Sequence, residues 1–247
     1  MRNQALIILN GLAKGGTSIV WNIIASHPGI VSPTKETGEI FRFLKTSRKN
    51  VARYLPLWRV VELPGVSKVF ARYVDAVLFR FRMAVLEHPD HSYKDPDTLY
   101  KEAELRSCML CLKSVNYDLN FTPFLNRQFP RVANIGLIRN GYAVCEGLIR
   151  RGYDVRKAAQ LYRKYGEQMI RDSERFARYR FVQFEDVLRD PFGVQAELFR
   201  FLGVEPERLR ALRLKSKKAI NSDLIHAVKF GEPGRHYWFD RASISRI

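Results

Sequence analysis

A short segment near the N-terminus constrains this chain more than any other. The run Ala5-Leu6-Ile7-Ile8-Leu9 is continuously apolar and stops at Asn10-Gly11. That is the pattern of a strand buried on both faces of a parallel sheet, not of one with a solvated side. A glycine-rich loop follows at once, Gly11-Leu12-Ala13-Lys14-Gly15-Gly16-Thr17-Ser18, and leads into Ile19-Val20-Trp21-Asn22-Ile23-Ile24-Ala25 before His27-Pro28-Gly29. The punctuation predicts a helix from roughly Gly16 to Ser26. Strand, glycine loop and helix N-terminus together form a phosphate-binding layout. The glycines let the backbone approach an anion, successive N–H groups form a concave nest, and the helix end adds partial positive charge.

Further strands are expected over Met109 to Leu112, Val132 to Ile138 and Tyr179 to Phe184. Helical patterns separate them at about Phe121 to Gln128, Tyr142 to Arg150 and Val155 to Phe176. Alternating strands and helices imply an α/β, three-layer, P-loop-like fold, with a central parallel sheet flanked by helices and ligands bound beyond the carboxyl ends of the strands. Residues 1–247 read as a single domain with a helical insertion at about 41–107, since no Pro/Gly-rich linker divides them. Within the insertion, Val69, Phe70, Tyr73, Val74, Val77, Leu78, Phe81 and Val85 follow helical spacing, with Lys68, Arg72, Asp75 and Arg82 on the other side and Phe79 among them.

Composition enters through charge. The chain has 42 Lys and Arg against 25 Asp and Glu, a formal net charge of +17. Such a field attracts an anionic partner without naming it: nucleic acid, an anionic membrane, an acidic glycan or a phosphorylated nucleotide. The insertion holds the densest long basic stretch, with ten Lys and Arg against Glu62 and Asp75 between Arg42 and Arg82. At 46% hydrophobic and 12% aromatic, the chain is neither disordered nor fibrous. No apolar run approaches the roughly 18 residues of a membrane span, and Ala5 to Leu9 is too short for a signal peptide, so a cytoplasmic protein is expected. Three cysteines provide no disulfide framework. Cys108-Met109-Leu110-Cys111 reads as two buried thiols on a strand, and no metal site is expected, His88 and His91 lacking further ligands.

A nucleoside-triphosphate P-loop, G-x-x-x-x-G-K-[ST], would place Gly11 and Gly16 in register and require lysine at position 17, where this chain has Thr17. The lysine stands instead inside the loop, as Lys14-Gly15-Gly16-Thr17-Ser18. This segment, with Ser26-His27-Pro28 beyond it, resembles the sulfotransferases that use 3′-phosphoadenosine 5′-phosphosulfate (PAPS). Three more of their motifs have similar segments here in the same order. Leu112-Lys113-Ser114-Val115 resembles the Lys-Ser/Thr-Pro that ends a middle strand. Leu137-Ile138-Arg139-Asn140, with Leu148-Ile149-Arg150-Arg151-Gly152, resembles the strand-Arg-Asn/Asp-Pro signature. Phe184-Glu185-Asp186-Val187-Leu188, with Phe201-Leu202-Gly203, resembles the Tyr-Glu-Asp-Leu segment and the Phe-Leu-Gly after it. The likeness spans residues 6–204 and is closer to the carbohydrate and tyrosyl-protein branches than to the cytosolic phenol and steroid branch.

The resemblance implies roles. Lys14, Gly15, Gly16, Thr17 and Ser18 would hold the 5′-phosphosulfate of PAPS, with Arg139 on the 3′-phosphate. Arg235, in Lys229-Phe230-Gly231-Glu232-Pro233-Gly234-Arg235, would close over it, with Lys229 second. Lys14 would reach the phosphosulfate bridge, Lys113 would face the transferring sulfuryl group, and Glu36 would be the catalytic base, with Glu39 and His91 as alternatives. The sequence also departs from the family. Gly141 replaces the proline after Arg139-Asn140, Gly147 stands where a serine helps hold the 3′-phosphate, leaving Arg150 or Arg151 as substitutes, and Ile19 replaces the tryptophan of the cytosolic branch. The expected acceptor is a hydroxyl on a carbohydrate or glycolipid, an acidic glycan or lipid-linked molecule, with a peripheral membrane contact as a further use of the basic insertion. The rival readings are a P-loop kinase and a basic nucleic-acid or membrane-surface module.

Overall fold

The computed structural model describes residues 5–33, 36–40, 63–87, 100–206, 211–215 and 236–240. Its centre is a parallel sheet in the order β2-β3-β1-β4-β5, built from β1 (Ala5–Gly11), β2 (Ile30–Val31), β3 (Met109–Val115), β4 (Arg131–Ile138) and β5 (Tyr179–Gln183). β1 lies in the middle, and its side chains alternate between two cores. Ile7 and Leu9 pack with α1 (Thr17–Ala25), while Leu6 and Ile8 pack with α2 (Val66–Glu87), α3 (Glu102–Ser107) and α4 (Thr122–Gln128). Burial on both faces is why the strand reads as an unbroken apolar run. α5 (Gly141–Ile149) and α6 (Val155–Arg175) follow β4 and enclose a third cluster around Leu12. α7 (Phe184–Arg189) and α8 (Pro191–Leu202) follow β5 and complete the α1 side. A two-stranded antiparallel ribbon of β6 (Ala211–Lys215) and β7 (His236–Asp240) lies with β6 against α1.

Two buried thiols meet the expectation for the Cys-x-x-Cys pair, since Cys108 belongs to one core and Cys111 to the other. The insertion helix departs from its reading. Val69 is 71% exposed, whereas Arg82, expected on the polar side, is 1% exposed. Its Nη1 donates to Arg106 O at the end of α3 at 2.7 Å, supplying a donor to a carbonyl that the helix itself leaves unpaired. The guanidinium of Arg106 in turn covers the Phe79 ring, 5.1 Å from its centroid. Phe79 thus has a contact on the side of α2 that carries most of its charge.

Asp172 lies buried on α6, and burial raises its carboxyl pKa to about 6 against the pull of Arg175 and Arg171. The folded protein therefore holds this proton more tightly than the unfolded chain, and stability falls as pH rises from about 4 through 6. Asp172→Asn is expected to raise the thermal midpoint at pH 8 and leave it nearly unchanged at pH 4. An equal gain at both values in unfolding scans would contradict this origin.

Candidate active site

Parallel pairing brings the ends of three strands together. In β3, Lys113 pairs with Leu9 of β1, and in β4, Leu137 pairs with Gly11, so Lys113 and Arg139 flank the loop that leaves β1. The loop closes through Gly15 N–H to Leu12 O at 3.0 Å and is held from outside by Ala13 N–H to Asn116 Oδ1 at 3.0 Å. Lys14 and Gly16 both adopt left-handed backbone, φ 71° and 89°. At Gly16 a side chain is excluded twice, by that φ and by the Phe184 ring, which lies 2.2 Å from where a Cβ would stand. No side chain caps α1 at Gly16, and Ile19 N–H turns back to Gly16 O at 3.0 Å, so the first N–H groups of the helix, those of Thr17 and Ser18, are the ones available to an anion in the loop.

Arg139 is held from several sides. Its Nη1 donates to Lys14 O at 2.9 Å, and its guanidinium lies over the Phe184 ring, 4.7 Å from the centroid. Tyr162 Oη donates to Arg139 O at 3.0 Å, and Asn140 N–H donates to Glu185 Oε1 at 2.9 Å. The Phe184-Glu185 motif thus supports the arginine from below. Asn140 explains how the missing proline is tolerated. Its Oδ1 accepts from Tyr142 N–H at 3.0 Å and Ala143 N–H at 3.4 Å, starting α5 by a side-chain cap instead.

Gly147 has a physical account as well. A Cβ there would stand 2.9 Å from both Cβ and Cγ of Lys14, so the space a serine would take is filled by the lysine stem. Arg150, considered as a substitute donor, pairs with Glu146 along α5. Gly147→Ser, which introduces the serine that the resemblance implies at this position, is expected to lower turnover by about tenfold, the order of one displaced charge-assisted hydrogen bond. Steady-state rates at saturating substrates check this, and a rise in rate would contradict it.

On the other flank, Lys113 is 5% exposed. Its Nζ lies 2.9 Å from Glu36 Oε1, donates to Ser18 Oγ at 3.2 Å and sits 4.7 Å from the centroid of the Trp21 ring. Glu36 precedes a 3₁₀ turn (Thr37–Glu39), pinned to β3 by Ser114 Oγ–H to Thr37 Oγ1 at 3.1 Å. The turn's end is tied to α2 by Tyr73 Oη–H to Ile40 O at 3.4 Å. The Glu36 side chain remains 51% exposed and so reachable by a substrate.

His27 serves the frame. Its Nδ1 accepts from Gly29 N–H at 2.9 Å, which leaves the proton on Nε2 to donate to Glu205 O at 3.1 Å. Its ring meets Phe199 edge-on at 4.9 Å. The His-Pro motif is therefore a joint between α1 and the end of α8. The Glu39 side chain, His91, Lys229 and Arg235 lie outside the described residues; β7 begins at the residue after Arg235.

The fold brings Lys14, Gly15, Gly16, Thr17, Ser18, Glu36, Lys113 and Arg139 together at the ends of β1, β3 and β4. Trp21, Phe184, Glu185 and Tyr162 join them as neighbours that the sequence does not single out for the site. Phe184-Glu185 carried a motif signal, whereas Trp21 was one apolar residue of a helix, and Tyr162 had no signal. Among the described residues, no group of three or more His, Cys, Asp or Glu is arranged to hold a metal, and no helix is long and apolar enough to cross a membrane.

The sequence matches the model of the sulfotransferase family over residues 6–208. No curated protein matches it. Among solved structures, it is similar to the sulfotransferase domain of the olefin synthase of Synechococcus PCC 7002, with a TM-score of 0.55 and 20% identity over 92% of this chain and 82% of that one. A second similar structure is the sulfotransferase domain from the curacin biosynthetic pathway, with a TM-score of 0.54 and 17% identity over 94% of this chain and 84% of that one. At these identities the likeness is one of fold.

Proposed function

Since the chain belongs to the sulfotransferase family, we propose that it transfers the sulfuryl group of PAPS to a hydroxyl of an acidic carbohydrate or glycolipid, with Glu36 as the base. The observation that carries this reading is the meeting of Lys14, Arg139 and the Lys113–Glu36 pair around one anion-binding loop. In this assignment Lys14 and the N–H groups of Gly16, Thr17 and Ser18 hold the 5′-phosphosulfate, while Arg139 takes the 3′-phosphate. Glu36 accepts the proton as the acceptor oxygen bonds to sulfur and the bridging S–O bond breaks. Lys113 stabilises charge on the transferring group, and Lys14 stabilises the negative charge that develops on the leaving phosphate. The exposed side of α2 carries Lys68, Arg72 and Arg80. Tyr73 joins that helix to the segment that carries Glu36, which supports an anionic acceptor approaching from this side.

Calorimetric titration tests the donor assignment. The product nucleotide, 3′-phosphoadenosine 5′-phosphate, is expected to bind about ten- to a hundredfold tighter than ATP or adenosine 5′-phosphosulfate, the order of one charge-assisted contact to the 3′-phosphate. Equal affinities would remove Arg139 from its role. The acceptor class is tested by a mass-spectrometric screen with sulfate-labelled PAPS, and transfer to neutral phenols alone would overturn it.

A further inference from the structure

Lys113 rests on an aromatic face, and we propose that Trp21 is the positioning residue that keeps its ammonium aimed at the transferring group throughout turnover. The inference rests on the role given to Lys113 above. Ser18 and Trp21 are three residues apart on α1, a spacing that places them on one face of the helix, and both reach the Lys113 ammonium. The partners of this ammonium differ in what the reaction does to them. Glu36 takes up a proton and loses its charge, and Ser18 belongs to the loop assigned to the donor. The indole ring is unchanged by the chemistry. With Nζ 4.7 Å from its centroid, the ring offers the electron-rich face that attracts a cation, and the low exposure of both side chains strengthens that attraction.

The ring is itself anchored to the strand that carries the lysine. Trp21 Nε1–H donates to Cys111 O at 3.3 Å, two residues before Lys113 in β3 and on the same strand face. Indole and ammonium therefore hold their spacing whatever the state of Glu36. Removal of the aromatic face lets the ammonium follow its changing partners, which costs turnover more than donor binding.

The test compares Trp21→Leu, Trp21→Phe and Lys113→Met with the unmodified enzyme, measuring kcat, KM for PAPS and thermal midpoint. Trp21→Leu is expected to lower kcat by about ten- to thirtyfold with little change in KM, the order of a desolvated cation–π contact. Trp21→Phe, which lacks the N–H but keeps a π face, is expected to recover most of the rate although it too lowers the thermal midpoint. Should either variant fail to fold, fluorinated tryptophans introduced at position 21 alone keep the ring's shape while draining its face, and kcat is expected to fall stepwise with each fluorine. Equal rates for the leucine and phenylalanine variants, or a rate indifferent to fluorination, would overturn the inference. If these occur while Lys113→Met is inactive, only the role of Trp21 falls. A fully active Lys113→Met would sink both that role and the assignment of Lys113.

Discussion

Glu36→Gln is expected to lower turnover by about two to four orders of magnitude, the contribution of a positioned general base, while the affinity for 3′-phosphoadenosine 5′-phosphate stays as it was. The geometry makes the substitution selective. Glutamine keeps the length of the side chain and an oxygen that accepts from the Lys113 ammonium, now 2.9 Å from Glu36 Oε1. It removes the capacity to take the acceptor's proton. Position is retained because Thr37, the next residue, is fixed to Ser114 independently of the carboxylate. Single-turnover rates with labelled PAPS measure the chemical step, and calorimetry measures binding in the same variant. Full activity of Glu36→Gln would pass the role of base to Glu39 or His91. A loss of nucleotide affinity as large as the loss of rate would mean that the pair with Lys113 builds the donor site instead.

Lys14→Ala is expected to slow turnover by at least about ten- to a hundredfold, since a charge-assisted hydrogen bond is worth roughly 1.5–3 kcal/mol. The loss is larger if the ammonium acts mainly on charge that develops in the transition state. Lys14 has two attributes that alanine removes together. One is its charge and the other is the stem packed against Gly147. Lys14→Met separates them, keeping an unbranched stem against the glycine while losing the ammonium. If charge is what counts, the methionine variant is nearly as slow as the alanine one. A methionine variant with close to full activity would show that Lys14 acts by filling space and shaping the loop. The left-handed backbone at position 14 is common to all three residues, so strain there does not separate them.

The parts of the fold legible in the sequence are those governed by local rules. β1 was readable because both its faces are covered, and α1 because a glycine loop and His27-Pro28 bracket one apolar stretch. α2 was readable as a helix but not in all its facing. Arg82 lies near the border between the apolar and charged sides, and only the unpaired carbonyl at the end of α3 draws it inward. Gly147 could be seen as a missing serine. That the Lys14 stem occupies its place depends on how closely α5 approaches the loop.

The same division runs through the candidate site. Loop composition by itself pointed to an anion site at the end of β1, because glycine freedom, an internal lysine and a helix N-terminus act over a few consecutive residues. It also pointed away from a nucleoside-triphosphate loop, through Thr17 in place of lysine. Tertiary structure alone decided which charges meet. Glu36 and Lys113 are far apart in the chain, and they pair because β3 lies beside β1 while the turn after Glu36 is pinned to β3. Trp21 joins them only because α1 crosses β3 with its indole over the ammonium. Such contacts depend on distances between separately folded elements, which residue spacing along the chain does not encode.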